Sequence, residues 1–229
     1  MIKKIKFLAI IPARKNSKRV KNKNLKHIKK ITLFDHTFNS AKKCSEIDKI
    51  VITTDIKKFL KKDTDRVIHI KRPKYLSKDN CSTESAIKHA LNYLDKSLIE
   101  KIENVVLLQP TSPFRTSLDI SNAIKKFKKE KLDSLFSAYK RKMFIWGEKR
   151  KLLYPINYNL KKRYRTQNSK KVIVENGAIF IFSKNGFEKY NNRLFKKKGV
   201  YFMSAKNSID IDNMIDLEWA RFMINKVSN

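Results

Sequence analysis

Residues 2–25, IKKIKFLAIIPARKNSKRVKNKNL, carry the reading on which the fold turns. Apolar and basic side chains alternate as far as Phe7, and the chain then runs apolar to Ile11, as a strand does when it enters a buried sheet. After Pro12 and Ala13 come six Lys or Arg and three Asn within residues 14–24. A loop built only to reverse the chain uses Gly, Asn or Pro, and does not need cations held beside one another. The crowding predicts an anion at the end of the first strand.

The same rhythm continues outward. Further strands are predicted at 48–55, 66–70, 103–110, 133–139, 177–182 and 199–204, and helical periods over 33–44, 82–96, 116–130 and 213–227. The third helix opens T-S-L-D, a loose capping box with Asp where Glu is preferred. Alternating strand and helix predicts an α/β fold with a mainly parallel sheet and flanking helices, in a single domain spanning 1–229. Residues 141–171 break the rhythm with aromatics and Pro but no helical period, and predict a projecting arm. Exposed Trp146, Tyr154 and Tyr158 on such an arm would be covered by a second copy of the chain.

A formal net charge of +33 suggests nucleic acid or an anionic membrane when taken alone. Yet Lys greatly outnumbers Arg and is scattered through nearly every segment, and no helix-turn-helix or paired metal-ligand spacing accompanies it. No apolar run of about 18 residues is present, and the N-terminus lacks the small-residue cleavage site of a secretory leader. Cys44 and Cys81 form no framework, so two free thiols in a reducing cytoplasm are expected.

In a parallel sheet, ligands bind beyond the carboxyl ends of the strands, which selects four places. The first is the basic loop, with Arg14, Lys18 and Lys23 able to grip a polyphosphate; it has no glycine and is neither a P-loop nor a dinucleotide fingerprint. The second is LLQPTSPFR, where the Gln109 amide either reads a sugar or base or simply closes a rigid turn. The third, RTQNSKKVIVENGAIFIF, brings Arg165, Gln167 and Asn176 to a strand start, where Gly177 permits a tight bend. The fourth is SIDIDNMIDLEWA. On an extended segment Asp210 and Asp212 share one side and Ile209 and Ile211 the other. Paired carboxylates suit a hard divalent cation, or else Asp212 is only the N-cap of the last helix.

Taken together, IIPARKNSKRVKNKNL, STESAIKHAL, LLQPTSPFR, RTQNSKKVIVENGAIF and SIDIDNMIDLEWA resemble, in order and spacing, the CMP-sialic acid synthetase (acylneuraminate cytidylyltransferase) family. The resemblance implies a Rossmann-like α/β nucleotidyltransferase fold and a homodimer joined through an exchanged arm. The implied reaction transfers CMP from CTP to a nonulosonic acid, with Mg²⁺ or Mn²⁺ on Asp210 and Asp212. Arg14, Lys18 and Lys23 match triphosphate-binding positions and Asn24 a neighbouring nucleotide ligand. Arg72, Cys81 and Thr83 match the base and ribose pocket, and Gln109 the contact to the acceptor sugar. Arg165, Gln167, Asn176 and Phe180 are expected on the substrate side, Phe180 standing where many relatives have Tyr. The family loop carries glycine near Ser17 and Lys18; this chain does not. Pseudaminic acid or Kdo are alternative acceptors, a basic nucleic-acid-binding protein is the rival class, and neither nucleic acid nor membrane is expected as a partner.

Overall fold

The computed structural model describes residues 4–78 and 80–226; the expected start of the first strand at Ile2 and the expected end of the last helix at Val227 lie outside them. The first strand, β1 (Ile5–Ala13), alternates as its sequence predicts. Phe7, Ala9 and Ile11 enter one apolar cluster, and Leu8 and Ile10 enter another on the opposite face. Both faces are therefore covered by helices.

After the basic loop, a short hairpin of β2 (His27–Ile28) and β3 (Ile31–Thr32) leads into α1 (Leu33–Lys42). Next come β4 (Lys49–Thr54), β5 (Val67–Lys71), α2 (Thr83–Tyr93), the single turn α3 (Lys96–Ile99) and β6 (Ile102–Leu108). Then follow α4 (Ser117–Lys129), β7 (Ser134–Lys142), the hairpin β8 (Trp146–Lys149) and β9 (Leu152–Pro155), and β10 (Lys171–Ser183). The chain closes with α5 (Lys184–Tyr190), β11 (Lys198–Phe202) and α6 (Met214–Lys226). Thr116 and Asp119 cap α4 reciprocally, with the Thr116 amide donating to Asp119 Oδ2 at 2.9 Å. The shorter carboxylate therefore completes the box that the T-S-L-D spacing left loose.

The main sheet runs β11-β7-β10-β6-β1-β4-β5. β1 is parallel to β4 and β6, β4 to β5, and β7 to β11, whereas β10 is antiparallel to both β6 and β7. Crossover connections, helical except for the irregular one between β4 and β5, return the chain to the same end of the sheet and give the parallel pairs; β10 returns from β7 through an excursion without such a crossover, so it runs the other way. α1 and α4 cover one face through Phe34, Ala41, Ile124 and Phe127. α2 and α5 cover the other through Ile87, Leu91 and Phe187. Among the described residues no helix is long and apolar enough to cross a membrane, and Cys44 and Cys81 are free.

A third, smaller cluster of Val20, Ile28, Leu33, Ile211, Leu217 and Ala220 decides where the chemistry falls. It fastens the basic loop, through Val20, to the segment before α6, through Ile211. Two stretches nearly the whole chain apart are thus brought to the same end of the sheet.

Candidate active site

The basic loop makes its turn without glycine. Asn22 adopts φ 54° and ψ 40°, the left-handed conformation that asparagine tolerates better than other side chains. The Asn24 side chain, 6% exposed, donates to the Arg14 carbonyl at 2.8 Å and ties the loop's end back to its start. Arg14 Nη1 reaches across to the Lys78 carbonyl at 3.0 Å. Val20 points down into apolar packing while the charged neighbours remain above it.

On the facing wall, Ile211 is fully buried and Ile209 packs against the same cluster, so the alternation turns Asp210 and Asp212 toward the loop. The N-cap alternative fails on the hydrogen bonds. Asn213 Oδ1 accepts from the Asp216 amide at 3.0 Å, and Asp216 Oδ2 accepts from the amides of Asn213 and Asp212. Asn213 therefore caps α6, and the Asp212 carboxylate is left for the cleft. Lys23 Nζ donates to the Ile211 carbonyl at 2.6 Å and lies 3.3 Å from Asp212 Oδ1, while Arg19 Nη1 lies 3.3 Å from Asp212 Oδ2. One cation thus attends each oxygen of Asp212.

Asp210 is held differently. Burial pushes its carboxyl above the ordinary range; the Thr111 hydroxyl bond and Lys23 oppose that shift, while Asp212 and Asp216 add to it. Its Oδ1 is buried and has no hydrogen-bond partner. A carboxylate oxygen kept from water and from every protein donor is one that a cation could claim. Among the described residues no group of three or more His, Cys, Asp or Glu side chains is placed to hold a metal. Two carboxylates therefore fit a hard divalent ion only if the ligand supplies oxygens too, as a triphosphate does.

These walls enclose a cavity of about 460 Å³ at the carboxyl ends of β1, β5 and β6. It is lined by Arg14, Lys18, Lys23 and Asn24 on one side, and by Asp210 and Asp212 on another. Arg72, Cys81, Thr83 and Gln109 complete it. Arg72 is 5% exposed, with Nη2 donating to the Thr53 carbonyl at 2.8 Å. Burial pushes its guanidinium down to about 10; Asp55 opposes this and Arg14 adds to it, so the group stays cationic at neutral pH.

Four expected substrate residues lie elsewhere. Arg165 and Gln167 are exposed in the segment between β9 and β10, where the Gln167 carbonyl accepts from Lys142 Nζ. Phe180 is buried in the core and stacks under the Arg193 guanidinium at 4.5 Å. Asn176 is a buried hub: its Oδ1 accepts from Ser137 Oγ at 2.6 Å and from the Ala178 amide at 3.2 Å, and its Nδ2 donates to Ser208 Oγ at 2.9 Å. It ties β7 and β10 to the segment that presents the carboxylates. Asn176→Ala, which strands several buried partners, is expected to lower the melting temperature by roughly 6–12 °C, read by calorimetry. A melting point unchanged from the parent would contradict the hub assignment.

Sequence reasoning counted Arg19 among the loop's cations without a role of its own, and missed Thr111. Arg19 stood in the loop without a reason to single it out from its neighbours, and Thr111 was visible in QPTSP only as part of a turn.

A cytidylyltransferase family model matches residues 8–220. The chain is 30% identical over 224 residues to an N-acylneuraminate cytidylyltransferase of Escherichia coli, covering 94% of this chain and 51% of that protein. It is also 26% identical over 226 residues to the post-translational flagellin modification protein B of Campylobacter coli, covering 95% of this chain and 94% of that one. It thus spans about half the length of the first relative and nearly all of the second. The fold is shared with 4-diphosphocytidyl-2C-methyl-D-erythritol synthase of Anaerococcus prevotii, at TM-score 0.67 and 17% identity over 96% of this chain and 99% of that one. With a family model spanning both the basic loop and the paired carboxylates, the chain belongs to the cytidylyltransferase family.

Proposed function

We propose that this chain transfers CMP from CTP to the anomeric hydroxyl of a nonulosonic acid of the sialic or legionaminic type. A bond forms between the anomeric oxygen and the α-phosphorus, the bond to the bridging oxygen of the β-phosphate breaks so that pyrophosphate leaves, and the hydroxyl proton passes to water. The single observation that carries the reading is the juxtaposition of Asp210 and Asp212 with Arg14, Lys18 and Lys23 around one cleft.

The chemistry to be solved is the meeting of two anions, since the acceptor hydroxyl sits beside its own carboxylate. Mg²⁺ or Mn²⁺ held by Asp210 and Asp212 would supply charge neutralisation at the reacting phosphate. Arg14 and Lys18 grip the β- and γ-phosphates and stabilise the pyrophosphate as its charge develops. Lys23 and Arg19 keep Asp212 neutralised before the nucleotide arrives. Arg72, Cys81 and Thr83 take the nucleoside side, and Gln109 meets the acceptor.

Incubation with CTP, Mg²⁺ and a panel of acid sugars (N-acetylneuraminic, legionaminic, pseudaminic and Kdo), followed by pyrophosphate detection, tests the reading and chooses among acceptors. Pyrophosphate release is expected with at least one of them. No release with any, combined with tight binding of single- or double-stranded nucleic acid at physiological salt, would support the basic nucleic-acid reading instead.

A cytoplasmic homodimer belongs to the same proposal, its location suggested by the two free thiols. The β8–β9 hairpin leaves Leu152 and Leu153 mostly exposed and Trp146 and Tyr154 about half exposed. An isolated two-stranded hairpin is marginal in water, and a second chain would cover it. Sedimentation at twice the 27.0 kDa chain mass is expected, falling to one chain in Leu153→Glu; a parent chain that sediments as a monomer at micromolar concentration excludes the arm's role.

A further inference from the structure

The QPTSPFR stretch carries a cation that the chemistry above does not use. Arg115 is 2% exposed, and its hydrogen bonds among the described residues go to backbone carbonyls rather than to a carboxylate. Its Nη1 donates to the carbonyl of Gln109 at 3.1 Å and to that of Ala178 at 2.8 Å, while Nε and Nη2 are buried without partners. Burial pushes the guanidinium down to about 9, with the Asp119 charge opposing the shift, so it remains cationic at neutral pH. A buried arginine lacking a carboxylate fork costs stability, and such a cost persists where function draws on the group.

The two carbonyls that Arg115 joins flank one spot. β10 loses its register with β7 between Glu175 and Phe180, and within that interruption Gly177 adopts φ 65°. Ala178 also falls in the gap, so the strand ladder does not fix its backbone there. A Cβ placed on Gly177 would stand 3.9 Å from Asp210 Oδ2 and 4.0 Å from Gln109 Nε2. The missing side chain therefore leaves a space walled by the Gln109 amide and the Asp210 carboxylate.

We infer that Arg115 is a positioning residue for the acceptor half of the cleft, holding the Gln109 strand end and the Gly177 bulge in register so that the Gln109 amide stands across that space from Asp210. The inference rests on the proposed transfer to an acid sugar and adds to it the group that fixes the sugar-facing wall. The nucleoside wall, built from Arg72, Cys81 and Thr83 after β5 and at the start of α2, is tied instead to the Thr53 carbonyl through Arg72 and to the Tyr75 carbonyl through Cys81. Loss of Arg115 should therefore weaken one substrate and spare the other.

The test is steady-state kinetics of the full chain, its Arg115→Met and Arg115→Lys variants, with CTP and with the acid sugar of the panel that the unaltered chain uses best. Arg115→Met is expected to raise KM for the acid sugar by about tenfold and to leave KM for CTP within about twofold, with Arg115→Lys intermediate because one donor can still reach a carbonyl. A purely structural residue would lower the apparent kcat through the fraction of folded enzyme and leave both KM values unchanged. Equal changes in the two KM values, no change in either, or failure of both variants to fold overturns the inference and leaves the proposed function standing. Absence of turnover by the unaltered chain overturns both.

Discussion

Asp210→Asn is expected to lower the turnover number by about two orders of magnitude, a loss near 3 kcal/mol of transition-state stabilisation. The folded chain is expected to be as stable as the parent or more so. These outcomes have one cause. The Asp210 carboxylate is largely removed from water, its Oδ1 is without a partner, and Thr111 supplies its hydroxyl contact. Burying an ionised group in this way costs folding energy, and the amide keeps the shape while removing the charge. What the amide cannot do is offset positive charge arriving with the nucleotide. A second readout separates this from a general defect: CTP with Mg²⁺ should raise the melting temperature of the parent through linked binding, and should do so much less in the variant. Near-normal turnover by Asp210→Asn would remove the paired carboxylates from the proposal.

Elements and cleft were unequally legible. The alternation in IKKIKFLAII and in SIDID carried over directly into which side chains are buried, because a period of two admits only one assignment once one face is apolar. The loop's charge was legible but its path was not. That path depends on Asn22 taking a left-handed conformation and on Val20 finding Ile211, which lies far away in sequence. The direction of β10 was not legible either, since an arm without helical period gives no crossover to count. Asn176 and Phe180 show why reading a strand by position fails near a bulge. The register shift between Glu175 and Phe180 changes which residues face the cleft, so Gly177 lies beside Gln109 and Asp210 while its neighbours turn into the core. Nothing in QPTSPFR reveals that the Arg115 side chain folds back beneath its own turn to the Gln109 carbonyl, so its role is not legible in the sequence.

Lys23→Met is expected to lower kcat/KM for CTP by roughly two orders of magnitude, while Arg19→Ala lowers it by less than about tenfold, although both cations sit 3.3 Å from Asp212. Burial separates them. The Lys23 side chain is 14% exposed against 70% for Arg19, so water screens the arginine's charge and competes for its hydrogen bonds far more effectively. Lys23 also donates to the Ile211 carbonyl, and so it fixes the backbone between the two carboxylates as well as balancing one of them. Methionine fills the channel but leaves that carbonyl and Asp212 without their buried donor, a change that costs more than the mean worth of a hydrogen bond. Lys23→Arg is not expected to rescue activity, because a planar fork cannot occupy the space of a single ammonium held 2.6 Å from a carbonyl oxygen. Salt provides the remaining discrimination: raising ionic strength should erase most of the Arg19 effect and little of the Lys23 effect. Equal losses for the two variants at every salt concentration would mean that burial does not set the strength of these contacts, and the electrostatic account of the cleft would fall with it.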